Sequence, residues 1–276
     1  MKKYFYIDAG LGNRLNLLYS SLFWCCKLNI KPIILWKVEY GCYARFEELF
    51  EAPKDFDVKY VYTLSIRKDS FYKNVFGRAF IRIIKSLPSY CSARKTKEIF
   101  DLYGEKGIAE LLCSDRNKYI ASHDILCSIE HFRKAIPLLQ PSNEIKKRAD
   151  EIMSPHREKR LIGIHIRRTD HVLSIKHSPI ELFYSKMREI IDEGDTIFYV
   201  ASDDQSVLDN LSKEFPIINP IRFSDKLTRS SSSGVKDAYV DMLCLSKCDK
   251  IYGSYNSTFS VMAGIIGNVE CEILAV

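Results

Sequence analysis

Two adjacent arginines follow an apolar run in the middle of the chain, and together they are suited to binding an anion. Residues Ile162–Ile166 lead directly into Arg167 and Arg168, and Asp170 comes shortly after them. Arginine presents a planar fork of N–H donors that matches phosphate oxygens, and it stays charged at physiological pH. The pattern therefore indicates a phosphate site, with a surface ion pair to Asp170 as the alternative interpretation.

A second group of suitable residues follows the first predicted strand, in the stretch AGLGNRLN. Gly10 and Gly12 permit a tight turn and a close approach of the backbone to a ligand, and Asn13 can cap a helix or donate a hydrogen bond. The helix predicted to begin at Arg14 would direct its N-terminus, which attracts anions, at the same place. The glycine spacing matches neither the dinucleotide-binding nor the P-loop pattern, so it does not define a function by itself.

Polar residues follow two further predicted strands. Ser257 and Thr258 stand at a predicted helix start, where they offer hydroxyl groups and unpaired backbone N–H groups. Residues Ser202–Asp204 allow two interpretations, a helix cap with an acidic first turn or a metal-binding pair of carboxylates. We favour the cap.

All these groups depend on an alternation of strands and helices that predicts an α/β fold with parallel sheets. Strands are predicted at Tyr4–Ile7, Ile33–Trp36, Val58–Tyr62, Tyr119–Ala121, Leu161–Ile166, Ile197–Ala201, Lys250–Tyr252 and Cys271–Ala275. Helices are predicted at Arg14–Leu28, Asn143–Met153, Ile180–Asp192, Gln205–Phe215, Val235–Lys247 and Thr258–Ile266. Because ligands bind beyond the carboxyl ends of strands in such sheets, the residues that directly follow strands are the candidates for a site.

The alternation is most regular after about Ser154, which indicates two lobes. The polar stretch Ser154–Arg160 follows a predicted helix and contains a proline, as linkers often do. The sequence therefore predicts one lobe over residues 1–154 and a second over residues 155–276.

The composition is that of a folded chain, since 46% of its 276 residues are hydrophobic. No apolar stretch reaches the roughly 18 residues that span a membrane, and the N-terminus lacks a signal-peptide pattern, which together predict a cytoplasmic location. The nine cysteines are odd in number, and Cys25, Cys26, Cys244 and Cys248 lie in helix-like apolar patterns, so we expect reduced core thiols.

Positive charge is concentrated between Ile66 and Lys97, where nine Lys or Arg residues accompany a single acid, Asp69. Within it, FGRAFIRIIKSLP mixes apolar and basic residues at roughly helical spacing. Such a pattern is typical of a helix that packs on a core with its charges in water, or of one that lies on an anionic membrane surface. No nucleic-acid reader motif accompanies the charge, so nucleic-acid binding is not expected.

The motifs resemble, in order, those of the GDP-fucose-dependent fucosyltransferases. HIRRTD, at residues 165–170, is similar to the HxRRxD motif of the α1,6 and nodulation enzymes, the α1,2 enzymes and, in looser form, the protein O-fucosyltransferases. IDAGLGNRLN, HSPIE, VASDD, DAYVDMLCLSKCD and SYNSTFS look like further motifs of this family. The resemblance covers the first 20 residues and most of Leu161–Ala263.

The resemblance implies a GT-B fold, with two Rossmann-like lobes and a cleft between them, the N-terminal lobe on the acceptor side and the C-terminal lobe binding the donor. It implies an inverting enzyme that moves L-fucose from GDP-fucose to a hydroxyl group of a glycan, with no cofactor and no divalent metal. The alternatives are a glycosyltransferase that uses another nucleotide sugar and a non-catalytic α/β protein that binds phosphate or nucleic acid.

The resemblance also implies roles for single residues. Arg167 would contact the β-phosphate and Asn13 would lie near the diphosphate or the sugar, so these two are the expected catalytic residues. His165 and Asp241 would approach the guanine. The other expected donor-binding residues are Gly12, Arg168, Ser257, Thr258 and Phe259. Arg168 is also expected to fix its loop through a carboxylate such as Asp170.

No general base is assigned from the sequence. The α1,6 enzymes have an acidic residue a few positions after the arginines, whereas this chain has Ile175 and Lys176 there. The remaining candidates cannot be ranked from the sequence: Asp8, Asp170, His171, His177 and Glu181. His123 and His131 are expected to be satisfied polar residues.

The acceptor is expected to contact the N-terminal lobe. A compact cytoplasmic enzyme of this family resembles those that modify O-antigen, capsule or other oligosaccharides in bacteria. A lipid-linked acceptor would suit the basic residues 66–97, which would then contact the inner face of the membrane peripherally.

Overall fold

The computed structural model describes residues 1–39, 41–53, 55–62, 82–191 and 194–276, and the chain forms two compact units. The first unit comprises Met1–Ser142 together with the short segment Arg229–Ser232, and the second comprises Asn143–Thr228 and Ser233–Val276. The chain therefore passes from one unit to the other three times.

The first unit is built on a parallel sheet of five strands in the order β3-β2-β1-β5-β4. The strands are β1 Lys3–Ile7, β2 Pro32–Val38, β3 Asp57–Tyr62, β4 Tyr90–Cys91 and β5 Lys118–Ala121. The order reverses at β1, because β2 and β3 lie on one side of it and β5 and β4 on the other. A crevice at the carboxyl ends of β1 and β5 is thus the topological switch point of this sheet, called here the first switch point.

Helices of the first unit whose bounds lie wholly in the described ranges are α1 Leu11–Lys27, α2 Phe46–Leu49, α3 Ala93–Cys113 and α4 Ile129–Ala135. Helix α1 is buried on almost every side, and its Trp24 indole donates a hydrogen bond to the carbonyl of Leu126 at 2.7 Å. Helix α3 bends at Gly104, whose positive φ of 57° interrupts the helical backbone.

The second unit has a parallel sheet of four strands in the order β7-β6-β8-β9. These strands are β6 Arg160–Ile166, β7 Thr196–Ser202, β8 Lys250–Ser254 and β9 Cys271–Leu274. Its helices are α5 Asn143–Met153, α6 Val172–His177, α7 Ile180–Ile191, α8 Gln205–Leu211, α9 Ser232–Leu245 and α10 Thr258–Gly267. Here the order reverses at β6, so the second switch point lies at the carboxyl ends of β6 and β8.

Strand β6 presents a different kind of side chain to each face of its sheet. Ile162, Ile164 and Ile166 are buried in one core with Phe183 and Met187 of α7. The alternate positions point the other way, because side chains of a strand alternate between faces. On that side Gly163 makes room for α9, since a Cβ there would lie 2.9 Å from the Leu245 side chain.

All strands predicted from the sequence are present, with ends shifted by one or two residues, and the α/β prediction is correct. Helix α1, however, begins at Leu11 and not at Arg14, so Gly12 and Asn13 lie in its first turn. The positive φ of the preceding turn falls on Ala9, at 69°, whereas Gly10 is an extended N-cap residue. Strand β4 and helices α2, α3, α4 and α6 were not predicted.

The predicted boundary after residue 154 is wrong, because the units divide between Ser142 and Asn143. Helix α5 belongs to the second unit, where its residues bind α9: the Cys244 thiol lies 3.9 Å from the carbonyl oxygen of Ala149, and Lys236 pairs with Glu144 at 2.7 Å. A polar stretch after α5 marked a turn and not a division between units.

Within the described ranges, no helix is long and apolar enough to cross a membrane. Residues 63–81 lie outside those ranges and include residues 66–81 of the basic segment, so its predicted membrane contact rests on sequence alone. All nine cysteines are free thiols. Cys25, Cys244 and Cys248 are buried as predicted, but Cys26 is exposed.

Candidate functional site

The two arginines form a turn that leaves β6 at the second switch point. The backbone N–H of Arg167 donates to Ser254 Oγ at 2.9 Å, and Ser254 Oγ donates to the carbonyl of His165 at 3.1 Å. Ser254 is fully buried and ends β8, the strand beside β6. One hydroxyl therefore joins the ends of the two strands and fixes the point from which the Arg167 side chain departs.

Asp203, directly after β7, holds the same turn from the other side. Its carboxylate accepts hydrogen bonds from the backbone N–H of Arg168 at 2.7 Å, from that of Thr169 at 3.2 Å and from the Thr169 hydroxyl at 2.7 Å. Burial alone would raise the pKa of Asp203, but the hydrogen bonds from Thr169, the charge of Arg167 and the backbone donors lower it below its ordinary value. Asp203 is thus an ionised acceptor for the residues 167–169.

The Arg167 guanidinium lies between two carboxylates. It pairs with Asp203 at 3.1 Å and with Asp170, and its side chain is only 17% exposed. Asp170 is the more accessible partner, at 48% exposed against 19% for Asp203. Asp203 is therefore the more buried partner, which also holds the turn, whereas Asp170 is a surface carboxylate.

Arg168 turns away from Asp170. Its guanidinium donates to the carbonyl of Ser178 at 2.7 Å and lies 5.9 Å from the ring of Phe183. The expectation that Arg168 fixes its loop is consistent with these contacts, but its partner is a carbonyl and Asp170 pairs with Arg167. Burial lowers the pKa of Arg168, although the carboxylates of Glu181, Asp203 and Asp204 oppose this.

His165 and Phe259 stack on each other on the α9 side of the sheet, with ring centroids 4.8 Å apart. His165 is 5% exposed. Burial, with the charge of Arg167 adding to it, lowers the pKa of His165 to about 3, so the imidazole is neutral at physiological pH. Its Nδ1 is buried without a hydrogen-bond partner in the described part of the chain.

Helix α10 begins beside this stack. Ser257 is its N-cap residue, but its side chain makes no capping hydrogen bond, and Thr258 is exposed in the first turn. The first backbone N–H groups of a helix have no partner within the helix, so they can bind an anion. Gly253 permits the close packing of β8 on α10, because a Cβ there would lie 2.3 Å from Ser260 Oγ.

Asp241, on α9, lies on the same face of the sheet as His165 but is held by internal partners. Tyr199 donates to it at 2.6 Å and Arg222 at 3.0 Å. Burial raises the pKa of Asp241, against the opposing charge of Arg222 and the hydrogen bond from Tyr199. The Asp241 side chain is 8% exposed and already accepts two hydrogen bonds. Its expected contact with guanine stays a prediction.

Asp237, one turn before Asp241 on α9, fixes the loop that carries Arg222. It accepts hydrogen bonds from the backbone N–H groups of Phe223 and Ser224, at 2.7 and 3.1 Å. The ring of Phe223 lies 4.1 Å from the Arg148 guanidinium and 4.4 Å from the Lys236 ammonium. Sequence reasoning missed this loop, because no local pattern pairs Phe223 and Ser224 with a carboxylate that follows 13 or 14 residues later.

The first switch point carries a different set of groups. Asp8 follows β1 and accepts from His123, which follows β5, over a distance of 2.9 Å between Oδ1 and Nε2. Lys37 lies 3.8 Å from Asp8 and also pairs with Glu39. Asn13 is half-buried in the first turn of α1 and Gly12 is buried. Their expected donor contacts stay predictions.

Arg14, at which the helix was predicted to begin, lies inside the first unit. It is fully buried and donates to the carbonyls of Ala9 at 2.7 Å and Ile7 at 3.4 Å. Its guanidinium lies 4.7 Å from the Trp36 ring centroid and 3.7 Å from Glu39. Arg14 therefore stabilises the turn after β1 from within.

Four of the base candidates from the sequence lie in the second unit: Asp170 pairs with Arg167, two histidines have other partners, and Glu181 is exposed. His171 caps α6, because its Nδ1 accepts from the Ser174 N–H at 3.1 Å. His177 lies 3.3 Å from the carbonyl of Val276. Glu181 is exposed in the first turn of α7.

The Ser202–Asp204 stretch is a helix cap, as favoured from the sequence. Asp204 is the N-cap residue of α8 and accepts from the Ser206 N–H at 2.9 Å. Within the described ranges, no group of three or more His, Cys, Asp or Glu side chains is placed to hold a metal ion.

The second unit thus brings a half-buried guanidinium, a helix N-terminus and a neutral histidine to one edge of its sheet. This is a set of groups that can bind a diphosphate. Two parallel α/β units, each with its own switch point, make up the architecture of GT-B proteins.

Comparison with solved structures confirms this fold class, α/β of the GT-B type with two Rossmann-like lobes. The structure of NodZ alpha-1,6-fucosyltransferase soaked with GDP-fucose has a TM-score of 0.60 at 19% identity, over 96% of this chain and 92% of that one. Fucosyltransferase NodZ from Bradyrhizobium gives 0.59 at 20% identity, over 95% and 91%. No protein-family model and no curated protein sequence matches the chain.

Two further neighbours share the fold at lower identity. A mutant of Arabidopsis thaliana FUT1 in complex with GDP has a TM-score of 0.60 at 14% identity, over 99% of this chain and 70% of that one. POFUT1 in complex with GDP-fucose gives 0.55 at 12% identity, over 100% and 99%. The resemblance first seen in the sequence motifs is therefore confirmed as a shared fold.

Proposed function

We propose that the chain is an inverting fucosyltransferase that moves L-fucose from GDP-fucose to a hydroxyl group of a glycan acceptor. The observation that carries this proposal is the position of Arg167, fixed by Ser254 and Asp203 at the second switch point. The motif around it resembles that of GDP-fucose-dependent enzymes, and the NodZ and POFUT1 structures that share the fold contain GDP-fucose.

The proposed role of Arg167 is to bind the β-phosphate more strongly as the sugar departs. The acceptor oxygen attacks the anomeric carbon, the bond from that carbon to the phosphate oxygen breaks, and negative charge accumulates on GDP. A guanidinium already positioned by Asp203 stabilises this charge without reorganisation in the transition state. The diphosphate takes the place of Asp170, the exposed one of the two carboxylates on Arg167.

Metal independence is part of the proposal. Arg167, with the first-turn N–H groups of α10 and the hydroxyls of Ser257 and Thr258, offers the diphosphate positive charge and donors from the protein itself. The stack of His165 on Phe259 forms an apolar, uncharged surface next to these donors.

Calorimetric titration of the purified protein with GDP in the presence of EDTA tests the donor site. We expect GDP to bind, UDP to bind much more weakly, and Arg167→Ala to lose GDP binding. Arg188→Ala is the matched control, since Arg188 is another arginine of the second unit paired with a carboxylate, Glu214. Absence of GDP binding at millimolar concentration would make the proposal wrong.

The second candidate is a glycosyltransferase for another nucleotide sugar. Asp241, the residue expected to recognise guanine, already accepts hydrogen bonds from Arg222 and Tyr199, which favours this alternative. Equal affinity for GDP and UDP would favour it. GDP binding followed by transfer from GDP-fucose, but not from GDP-mannose, would favour the fucosyltransferase.

The acceptor is proposed to be an O-antigen, capsule or other oligosaccharide, lipid-linked in the cytoplasm and reached at the membrane through residues 66–97. This part of the proposal rests on the basic composition of that segment. Flotation with anionic liposomes tests it: simultaneous change of Arg78, Arg82 and Lys85 to Ser should abolish binding. Undiminished flotation of that variant would remove the membrane contact.

A further inference from the structure

Arg222, in the loop that follows α8, belongs to the second unit and has no role assigned from the sequence. Its Nη1 donates to Asp241 at 3.0 Å, but its Nη2 is buried and has no hydrogen-bond partner in the described part of the chain. The side chain as a whole is 15% exposed, so the guanidinium lies just below the surface. Because an unpaired buried donor is costly, the unused side of the guanidinium is suited to an acceptor that a ligand brings.

The sheet places Arg222 on the same face as His165. Tyr199 of β7 is in register with Gly163 of β6, and His165 follows Gly163 by two residues, about 7 Å further along the strand. Residues two apart in a strand share a face of the sheet, so Tyr199 and His165 point to the same side. Tyr199 and Arg222 both donate to Asp241, which joins Arg222 to that side.

The backbone around Arg222 is fixed by two helices of the second unit. Arg148 of α5 donates to the Arg222 carbonyl at 3.3 Å, and Asp237 of α9 accepts from the backbone N–H groups of Phe223 and Ser224. Since both the backbone and Nη1 are held, little conformational freedom remains for Nη2 to lose when it binds a ligand.

Guanine carries the acceptors that such a guanidinium binds best. Its O6 and N7 are neighbouring acceptors on one edge, and arginine can donate to both at once. Adenine has a donor, its 6-amino group, in place of O6, and a pyrimidine such as uracil lacks the neighbouring N7. Guanine also has N1–H and 2-amino donors on another edge, which a carboxylate would bind. The edge that is bound therefore distinguishes contact with Arg222 from contact with Asp241.

We propose that Arg222 selects guanine by donating to its O6 and N7, and that Asp241 and Tyr199 are positioning residues for Arg222. This inference deepens the proposed function and rests on it, because the base concerned is that of the GDP-fucose donor. Asp241 is 8% exposed and accepts two hydrogen bonds, so it orients the guanidinium and does not itself contact the base. The occupied carboxylate is then compatible with a guanine nucleotide, although by itself it favours another one.

Calorimetric titration of the full-length protein with four nucleoside diphosphates in EDTA tests which edge is bound. Inosine diphosphate, IDP, keeps the O6, N7 and N1–H of GDP and lacks only the 2-amino group. We expect IDP to bind nearly as tightly as GDP, because the contacts with Arg222 are kept. ADP and UDP should bind on the order of 10- to 100-fold more weakly. If Asp241 bound the base instead, IDP would lose one of its two contacts and bind clearly more weakly than GDP.

Arg222→Lys separates base selection from a structural role. Lysine keeps a positive charge for Asp241 but lacks the planar pair of N–H donors. We expect the preference for GDP over ADP to fall about 10-fold, while the affinity for ADP, which comes from its diphosphate, stays unchanged. Tyr199→Phe removes one of the two hydrogen bonds to Asp241 and should lower the same preference by a smaller factor. A general loosening of the fold would instead weaken the binding of all four nucleotides in proportion.

Arg188→Lys is the matched control, because Arg188 is another arginine of the second unit that pairs with a carboxylate, Glu214. This variant should keep the wild-type preference for GDP over ADP. Thermal denaturation checks that all three variants fold.

The outcomes separate this inference from the proposed function. A wild-type protein that binds none of the four nucleotides at millimolar concentration would overturn both. GDP binding far tighter than IDP binding, or an Arg222→Lys variant with the full preference for GDP, would overturn only the role of Arg222. Equal binding of all four nucleotides would also overturn that role, because water would then be the only partner of Nη2, whereas the diphosphate site at Arg167 would stand.

Discussion

The two switch points have the same topology but different chemistry. In each unit the strand order reverses beside the first strand, and polar residues follow that strand and its later neighbour. At the second switch point these residues are an arginine and the hydroxyl that fixes it, whereas at the first they are a carboxylate and an imidazole. The topology therefore determines where a site can form, and the side chains determine what each site can do.

The two histidines of these sites show the same contrast. His165 is buried against Phe259, and its pKa is lowered to about 3 by burial and by Arg167. His123 is half-exposed, and its hydrogen bond to Asp8 raises its pKa. One ring is a neutral surface at every physiological pH, and the other can exchange a proton.

The largest difference between the two sites should appear on removal of Arg167. Arg167→Ala should lower the rate of fucose transfer on the order of 10²- to 10³-fold, because the negative charge that develops on the phosphate in the transition state loses the guanidinium that stabilises it. The rate of Arg167→Lys should lie between those of the wild type and Arg167→Ala, because lysine keeps the positive charge but lacks the planar pair of N–H donors. Steady-state assays with GDP-fucose measure this, and a wild-type rate in Arg167→Ala would end the assignment of the donor to the second unit.

Asp203→Ala should have the next largest effect, because it leaves the backbone donors of the turn 167–169 without their acceptor. We expect a loss of about 1–3 kcal/mol in the free energy of unfolding and weaker GDP binding. Since the pKa of Asp203 is lowered in the folded protein, its contribution is present above the unfolded value near 4 and is lost as the pH falls further.

Asp204→Ala is the control for that variant. This variant removes only the N-cap side chain of α8, so it should lower the free energy of unfolding by about 1 kcal/mol and leave the affinity for GDP unchanged. Urea denaturation at pH 7 and at lower pH compares the two variants. Equal behaviour of both would show that Asp203 is another ordinary cap.

Two glycine substitutions, one in each unit, compare the packing of the units through the free energy of unfolding. Gly253→Ala should destabilise the fold by about 1–3 kcal/mol, because its Cβ would lie 2.3 Å from Ser260 Oγ. Gly10→Ala should lower the free energy of unfolding by less, about 0.5–1 kcal/mol, because its Cβ would lie 3.8 Å from Arg229 and its φ is −74°, so that only the preference of an N-cap position for Gly over Ala is lost. Thermal denaturation of the two variants checks the order, and a reversal of it would contradict the packing described for β8 on α10.

The smallest expected effect is that the buried His165 ring does not change its protonation state near neutral pH. Between pH 5 and 9 the ring signals of His123 should shift in an NMR titration, and those of His165 should not. Because the folded pKa of His165 is depressed to about 3, its contribution to stability is present above the unfolded value near 6.5 and is lost as the pH falls towards 3. A His165 signal that moves near pH 6.5 would place the ring in water.

The strands were predictable because each is a short apolar run that the sheet buries, such as Ile33–Trp36 within β2. Helix α3 was not, because Ala93–Cys113 is largely polar, begins in the basic segment and bends at Gly104, so no apolar period identifies it. The start of α1 was missed because Gly10 and Gly12 are typical of a loop, although the buried Leu11 and Leu15 belong to its helical face.

The site was predictable only in part. Arg167 and the cap at Asp204 could be found from their positions after strands. The partners could not, since Ser254, Asp203 and Asp237 act on residues that the fold brings close but the sequence separates. The pairing of Asp8 with His123 depends on β5 lying beside β1, and no local pattern predicts which strands become neighbours.

The short segment Arg229–Ser232 has a consequence for the synthesis of the protein. Its residues complete the first unit, where the Arg229 carbonyl accepts from the Tyr43 N–H at 3.3 Å and the Ser232 hydroxyl donates to Glu48 at 2.6 Å. A ribosome therefore translates most of the second unit before it delivers the last residues of the first. The first unit therefore cannot be completed before most of the second has been synthesised, and a polypeptide that stops at Ser142 would leave Glu48 without the Ser232 hydroxyl.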